Sequence, residues 1–225
     1  MNLETWLENL KTPGRPDEFE SKALLSSRGI PVPRGRLFTP EDVENGPWQD
    51  PGLPFPCVAK VCDPEILHKT DRGGVELGLT AETWRAGVAA LASRFPGSNV
   101  LLEEQLKYRG TEFIIGALVD PLFGPAVMFG AGGILTELYK DVTFRLAPLD
   151  EGEARRMLTE LTISEVLQGY RGSLMDLDSL AAIVAGVSRI ITDLGPLFNQ
   201  LDINPIVFDG SGWVALDAVL VIQDS

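Results

Sequence analysis

The chain has 225 residues, enough for one large domain or two smaller subdomains. Its 44% hydrophobic and 23% charged content is that of a globular protein with a proper core. The net charge of −13 argues against nucleic acid as a partner, because phosphate neutralisation needs clustered Lys and Arg. It leaves nucleotide binding open, since a local basic pocket or a metal reverses the field. No apolar run reads as a membrane span. Residues 1–10 carry Glu4 and Glu8 and lack the basic and apolar regions of a signal peptide. Cys57 and Cys62 match no zinc or redox spacing and read as small core residues of a cytoplasmic protein.

In chain order, residues 1–16 read as a tail broken by Pro13-Gly14 and Pro16. Asp17 caps an expected helix to about Arg28, and Gly29 ends it. The Pro-containing segment 30–33 is extended. A short strand near 36–38 and a short helix from Pro40 follow. Expected strands lie at 55–62, 74–79, 100–106, 112–119, 125–129 and 142–146. Thr80 caps an expected helix through Phe95, with further helices at about 150–161 and 176–194. The last strands fall at about 198–208 and 213–216, joined by the turn 209–212. Several strands follow one another directly, which points to α+β rather than a βαβ winding.

The only histidine, His68, sits in the segment Leu67-His68-Lys69-Thr70-Asp71-Arg72-Gly73-Gly74. Histidine carries a proton or a phosphoryl group near neutral pH, so any histidine chemistry of this chain happens here. Lys60 closes an apolar strand. Either an anion such as phosphate compensates its charge, or it snorkels to solvent. Gly130-Ala131-Gly132-Gly133 follows a strand and is either a tight turn or a backbone anion site. Glu103, Glu104 and Glu112 lie at strand ends, either on a solvated face or as acceptors for a nucleotide base and ribose. Asp202 and Asn204, two apart, share one face of a strand, with Asp217 on its partner. Two carboxylates and an amide oxygen suit Mg²⁺, which takes hard oxygen ligands and shares them with phosphates.

Lys60, the HKTDRGGV segment, Glu104, Glu112, the FGPAVMFGAGGILTELYKDVTFRLAP block, and LDINP followed by ALD occur in an order that resembles a known family. It is the ATP-grasp subunit or domain of the nucleoside-diphosphate-forming acyl-CoA synthetases, the ADP-forming acetate–CoA ligases related to the succinyl-CoA synthetase β subunit. The resemblance covers about residues 17–225. It implies an α+β ATP-grasp fold with two subdomains gripping a nucleotide, about 17–97 forming the first lobe and 98–225 the second. It implies ATP or ADP and Mg²⁺ as cofactors. Lys60 would hold phosphates. Glu103 and Glu104 would lie at the adenine hinge, and Glu112 at the ribose. Gly130, Gly132 and Gly133 would approach the phosphates. Asn204, Asp217 and Asp202 would ligate Mg²⁺. His68 would receive the phosphoryl group, with Asp71 orienting its imidazole and Arg145 contacting phosphate.

The family also implies a separate CoA-binding α subunit with a second phosphorylatable histidine, giving a heterotetramer. This chain carries no such segment, so it resembles half of an enzyme. The implied reaction is acyl-CoA + ADP + phosphate ⇌ carboxylic acid + CoA + ATP. A non-catalytic ATP-grasp binding module of a CoA-ligase-like or acyltransferase complex is the alternative. Retention of Lys60, His68, Asn204 and Asp217 points to catalysis. An ATP-grasp ligase forming an amide bond is disfavoured by the HKTD and GPAVMFGAGG segments.

Overall fold

The structure, a computed structural model, describes residues 2–11, 14–46, 48–66, 68–108, 110–132, 141–170 and 174–223. The chain forms two compact units. The smaller comprises Asp17–Phe19 and Pro33–Lys107, and the larger comprises Met1–Pro16, Glu20–Val32 and Tyr108–Ser225.

The small unit is built on an antiparallel four-stranded sheet. Its strands are β1 (Gly35–Phe38), β2 (Cys57–Cys62), β3 (Val75–Leu79) and β4 (Asn99–Glu104), in the order β1-β4-β2-β3. One sheet face is covered by helix α4 (Trp84–Arg94). There Trp84, Val88 and Leu91 pack against Cys57, Ala59, Val100 and Leu102. Helix α4 starts later than Thr80, because the Thr80 hydroxyl donates to Glu82 and accepts its amide, forming a turn before the helix. Helix α3 (Pro40–Asn45) begins with a capping box in which Thr39 and Asp42 satisfy each other's backbone amides. The expected lobe boundary near residue 97 differs from the observed division. Strand β4 pairs with both β1 and β2, so it belongs to the small unit.

The large unit holds an antiparallel six-stranded sheet. It contains β5 (Phe113–Asp120), β6 (Gly124–Ala131), β7 (Val142–Leu146), β8 (Phe198–Phe208), β9 (Trp213–Ala215) and β10 (Ala218–Ile222). The order is β10-β8-β5-β6-β7, with β9 also pairing β8. Helices α5 (Glu151–Thr159), α6 (Ser164–Leu167) and α7 (Leu177–Leu194) supply its apolar core with the inward residues of β5, β6 and β8. Segment Leu177–Leu197, which starts with α7, is long and apolar enough to cross a membrane by length and composition, against the expectation that no such run exists. Its buried side chains, among them Leu180, Val184, Val187 and Ile191, form the middle of this core. Residues 1–16, expected as a tail, carry helix α1 (Leu3–Glu8), capped by Asn2. Its Trp6 is buried in the core and donates its indole N–H to the Glu20 carbonyl at 2.8 Å. Helix α2 (Glu18–Ser27) ends where Gly29 takes the left-handed φ of +80°, which glycine adopts without a Cβ clash.

Candidate active site

In the small unit, strand pairing sets the positions of charge. Glu103 on β4 lies opposite Val58, two residues before Lys60, so Glu103 and Lys60 are diagonal neighbours on the face away from α4. Lys60 is 9% exposed, and its ammonium lies 3.0 Å from Glu103 and 2.8 Å from Glu18. Glu18 uses its other carboxylate oxygen to pair with Lys69. Two lysines and two glutamates therefore pair oppositely in one cluster with little solvent around it. Neither reading of Lys60 from sequence anticipated this, because a protein carboxylate pair compensates it. Glu104 lies on the opposite side of its strand. Burial opposes its ionisation, but Arg34 more than offsets this with three hydrogen bonds and holds its carboxyl below the ordinary value.

His68 stands beside this cluster on an exposed loop. It is the one described non-glycine residue with positive φ, at 52°. Histidine is enriched in that region, yet the conformation is strained and needs support from its surroundings. The support lies in the next six residues. Gly74 N–H donates to the Lys69 carbonyl at 2.7 Å, Gly73 to Thr70 at 3.0 Å, and Arg72 to His68 at 3.4 Å. A Cβ on Gly74 would come within 2.6 Å of Val61 and 3.0 Å of the Lys69 carbonyl, so only glycine closes the loop this tightly against β2. Arg94 donates to the Gly73 carbonyl from α4. Asp71 is exposed, and among the described residues no hydrogen bond joins it to His68. The expected orienting contact is therefore not formed.

In the large unit, Asp202 on β8 lies opposite Gly116 of β5 and Val219 of β10. Asn204 follows on the same strand face. Pro205 cannot donate to the ladder, and the pairing with β9 and β10 is interrupted there. Asn204 N–H donates to the Asp217 carbonyl at 3.3 Å, and Leu216 N–H to the Pro205 carbonyl at 2.9 Å. These bonds hold Asp217 at the break between β9 and β10, next to the Asp202–Asn204 face. The Ala218 amide donates to the Asp217 carboxylate at 2.8 Å. Burial and the Asp217 charge push the Asp202 carboxyl up to about 6. Among the described residues no group of three or more His, Cys, Asp or Glu could hold a metal alone. The residues nevertheless fit Mg²⁺. Two repelling carboxylates and an amide oxygen form a partial hard-oxygen set that phosphate oxygens would complete.

Other expected residues have different surroundings. Glu112 accepts a hydrogen bond from Tyr108 at 2.6 Å, and burial together with this carboxylate pushes the Tyr108 phenol up to about 12. Gly130 lies within β6, paired with Ile114 and Val142. Ala131 N–H donates to Asp141 and Gly132 N–H to Glu112, so residues 130–132 do not form the expected anion-binding turn. These glycines are needed because a Cβ on Gly130 would meet the Asp141 carbonyl at 2.8 Å, and one on Gly132 the Glu112 backbone at 2.8 Å. Gly133 lies outside the described residues. Arg145 donates to Glu153, Glu160, Thr143 and the Phe144 carbonyl. Its guanidinium is committed to the surface between β7 and α5 rather than offered to phosphate. Sequence reasoning missed Glu18. It follows the helix cap Asp17 and belongs to none of the motifs singled out in the sequence. Its burial and lysine partners depend on residues 42 and 51 positions away.

Comparison with known proteins fits this geometry. The ATP-grasp domain family matches residues 12–222. The chain is 34% identical over 226 residues to the β subunit of acetate–CoA ligase [ADP-forming] I from Pyrococcus furiosus, covering 96% of both chains. A solved structure of the acetyl-coenzyme A synthetase 1 of Ca. Korarchaeum cryptofilum, with coenzyme A and Ca-AMPCP, superposes with a TM-score of 0.83. It is 33% identical and 98% of both chains is covered. A second structure of that enzyme holds Mg-AMPPCP, with a phosphohistidine segment pointing towards the nucleotide-binding site. It gives a TM-score of 0.75 at 33% identity and 93% coverage of both chains. The chain belongs to the ATP-grasp family, in the branch of the ADP-forming acetate–CoA ligase β subunits.

Proposed function

We propose that this chain is the nucleotide-binding subunit of a cytoplasmic ADP-forming acyl-CoA synthetase and that His68 carries the phosphoryl group between a partner subunit and ADP. The single observation that carries this reading is the placement of the only histidine. His68 is exposed, in a strained conformation, on a glycine-closed loop whose next residue is tied into the Lys60 cluster. Exposure lets a partner reach the imidazole, and the closed loop limits the positions it samples. The partner is a CoA-binding α subunit with its own phosphorylatable histidine, in a heterotetramer. The β-subunit names of the relatives support a two-chain enzyme.

In the direction of ATP formation, phosphate displaces CoA from the acyl-CoA on the partner, giving acyl phosphate and CoA. The partner histidine takes the phosphoryl group and releases the carboxylic acid. A neutral ring nitrogen of His68 then attacks that phosphorus as the partner imidazole leaves. An oxygen of the ADP β-phosphate attacks phospho-His68 in turn, forming ATP and restoring the free imidazole. Each step is a phosphoryl transfer, dominated by positioning and charge neutralisation. Lys60 would exchange part of its carboxylate pairing for phosphate oxygens. Glu112 would accept from the ribose, and Glu103 and Glu104 would lie at the base end. Asp202, Asn204 and Asp217 would hold Mg²⁺, which supplies positive charge to the phosphate oxygens.

Reconstitution with the CoA-binding partner tests the proposal. Acyl-CoA, ADP and phosphate should yield ATP with wild type, while His68→Ala should lose at least ~10³-fold in rate. Its Mg-nucleotide affinity should stay close to wild type. ATP formation at an equal rate by His68→Ala would overturn the relay. Nucleotide binding without any turnover in the complete complex would favour the non-catalytic binding module.

A further inference from the structure

Glu18 is matched by no motif that pointed to function, yet it occupies the centre of the small unit's charged cluster. One carboxylate oxygen accepts from Lys60 at 2.8 Å and the other from Lys69. Its side chain is 1% exposed, and those of both lysines are 11% exposed. A charge-assisted pair with so little solvent around it is geometrically demanding. Lys60 keeps a second carboxylate, Glu103, at 3.0 Å, so neutralising Lys60 does not by itself require Glu18. What Glu18 adds is a tie between two segments. Lys60 is fixed in β2, whereas Lys69 belongs to the loop that carries His68.

We infer that Glu18 is a positioning residue for phosphoryl transfer, its two carboxylate oxygens locking the His68 loop to the Lys60 strand through Lys69. The inference follows from how Lys69 is held. Its carbonyl accepts from Gly74, which anchors the loop backbone, and its ammonium is anchored by Glu18. His68, one residue earlier, takes its left-handed conformation next to a residue fixed at both ends. Such strain persists only where the surroundings over-determine it. Glutamate suits the task because both oxygens accept. Glutamine would accept from one lysine and present its NH₂ to the other. The catalytic consequence rests on the phosphohistidine reading above; the mechanical one does not.

Two measurements separate these consequences. The first is amide hydrogen exchange across residues 68–74 in wild type, Glu18→Gln and Lys69→Met. Lys69→Met keeps the Lys60–Glu18 and Lys60–Glu103 pairs, so it tests the loop tie even if Glu18→Gln fails to fold. Both variants should exchange about tenfold faster in this loop, with β4 unchanged. Unchanged loop exchange in Lys69→Met would overturn the inference. The second is the rate of phosphoryl uptake from Mg-ATP. It should fall roughly tenfold to a hundredfold in each variant, while Mg-nucleotide affinity stays within about threefold. The double variant should lose little more than Lys69→Met alone, because the Lys69–Glu18 contact is already gone and Lys60 keeps Glu103. Additive losses, or affinity falling as far as rate, would mean a structural role only. If wild type takes up no phosphoryl group, the relay reading fails, and loop exchange alone decides the positioning role.

Discussion

In the small unit, Lys60 and Lys69 face Glu18 and Glu103, each ammonium in an ion pair with a little-exposed carboxylate. In the large unit, Asp202 and Asp217 approach each other as like charges, and Asp202 is pushed up to about 6. The first cluster pairs opposite charges. The second carries a cost that an arriving cation relieves. The difference assigns different tasks. Opposite charges in contact hold groups in place, whereas like charges that approach each other favour a divalent ion between them. The net charge of −13 is therefore unevenly met, with acid beside acid at Asp202 and Asp217 and acid beside lysine at Glu18 and Glu103.

Breaking the compensated side should have the largest effect. Lys60→Met removes the cation that Glu103 and Glu18 share in a little-exposed cluster, and the fold should lose about 3–5 kcal/mol, read by denaturant unfolding. Adding Glu103→Leu should recover much of that loss. A double variant as unstable as the single would show that the pair does not behave as a compensated unit. On the other side, Asp217→Ala should weaken nucleotide binding roughly tenfold in Mg²⁺ and leave metal-free binding unchanged. Calorimetric titration with and without Mg²⁺ checks it, and equal Mg²⁺ dependence in both proteins would remove Asp217 from the metal site.

The smallest effect sharpens the comparison through pH. Asp202 has a folded value above its ordinary one, so its charged form costs stability at neutral pH and its protonated form does not. Asp202→Asn should therefore stabilise the ligand-free protein at pH 7 by about 1–2 kcal/mol, allowing for solvent screening of a partly exposed group. The gain should disappear as pH falls from about 6 to about 4. Thermal unfolding across that range decides it. A gain that persists at the acid end would mean that something other than the carboxylate charge is responsible.

Where a residue's role depends on near neighbours in sequence, it was legible. Gly29 ends α2 as glycine should, and the turn 209–212 joins strands at the expected place. The Asp202–Asn204 face was visible because strand alternation is local. Roles set by distant pairing were not. The pairing of strand β4 with β1 and β2 is not visible locally, because those partners lie far upstream. Gly130 and Gly132 read as a phosphate loop, yet they are glycines because neighbouring backbone leaves no room for a Cβ. Arg145 read as a phosphate contact until Glu153 and Glu160 were seen to hold it. Strand β10 was missed because its apolar run pairs with β8 beyond the interruption at Asn204-Pro205. Glu18 shows the same limit in reverse, since an unremarkable first-turn acid acquires its importance only from Lys60 and Lys69.

The proposed relay depends on one group, the imidazole of the single histidine. The most direct measurement is incubation of the purified chain with Mg²⁺ and γ-labelled ATP, followed by analysis of acid-labile, alkali-stable label. Label is expected on wild type, located at His68 and absent from His68→Ala. Label that persists in His68→Ala, or none on wild type in the presence of its CoA-binding partner, would contradict the relay.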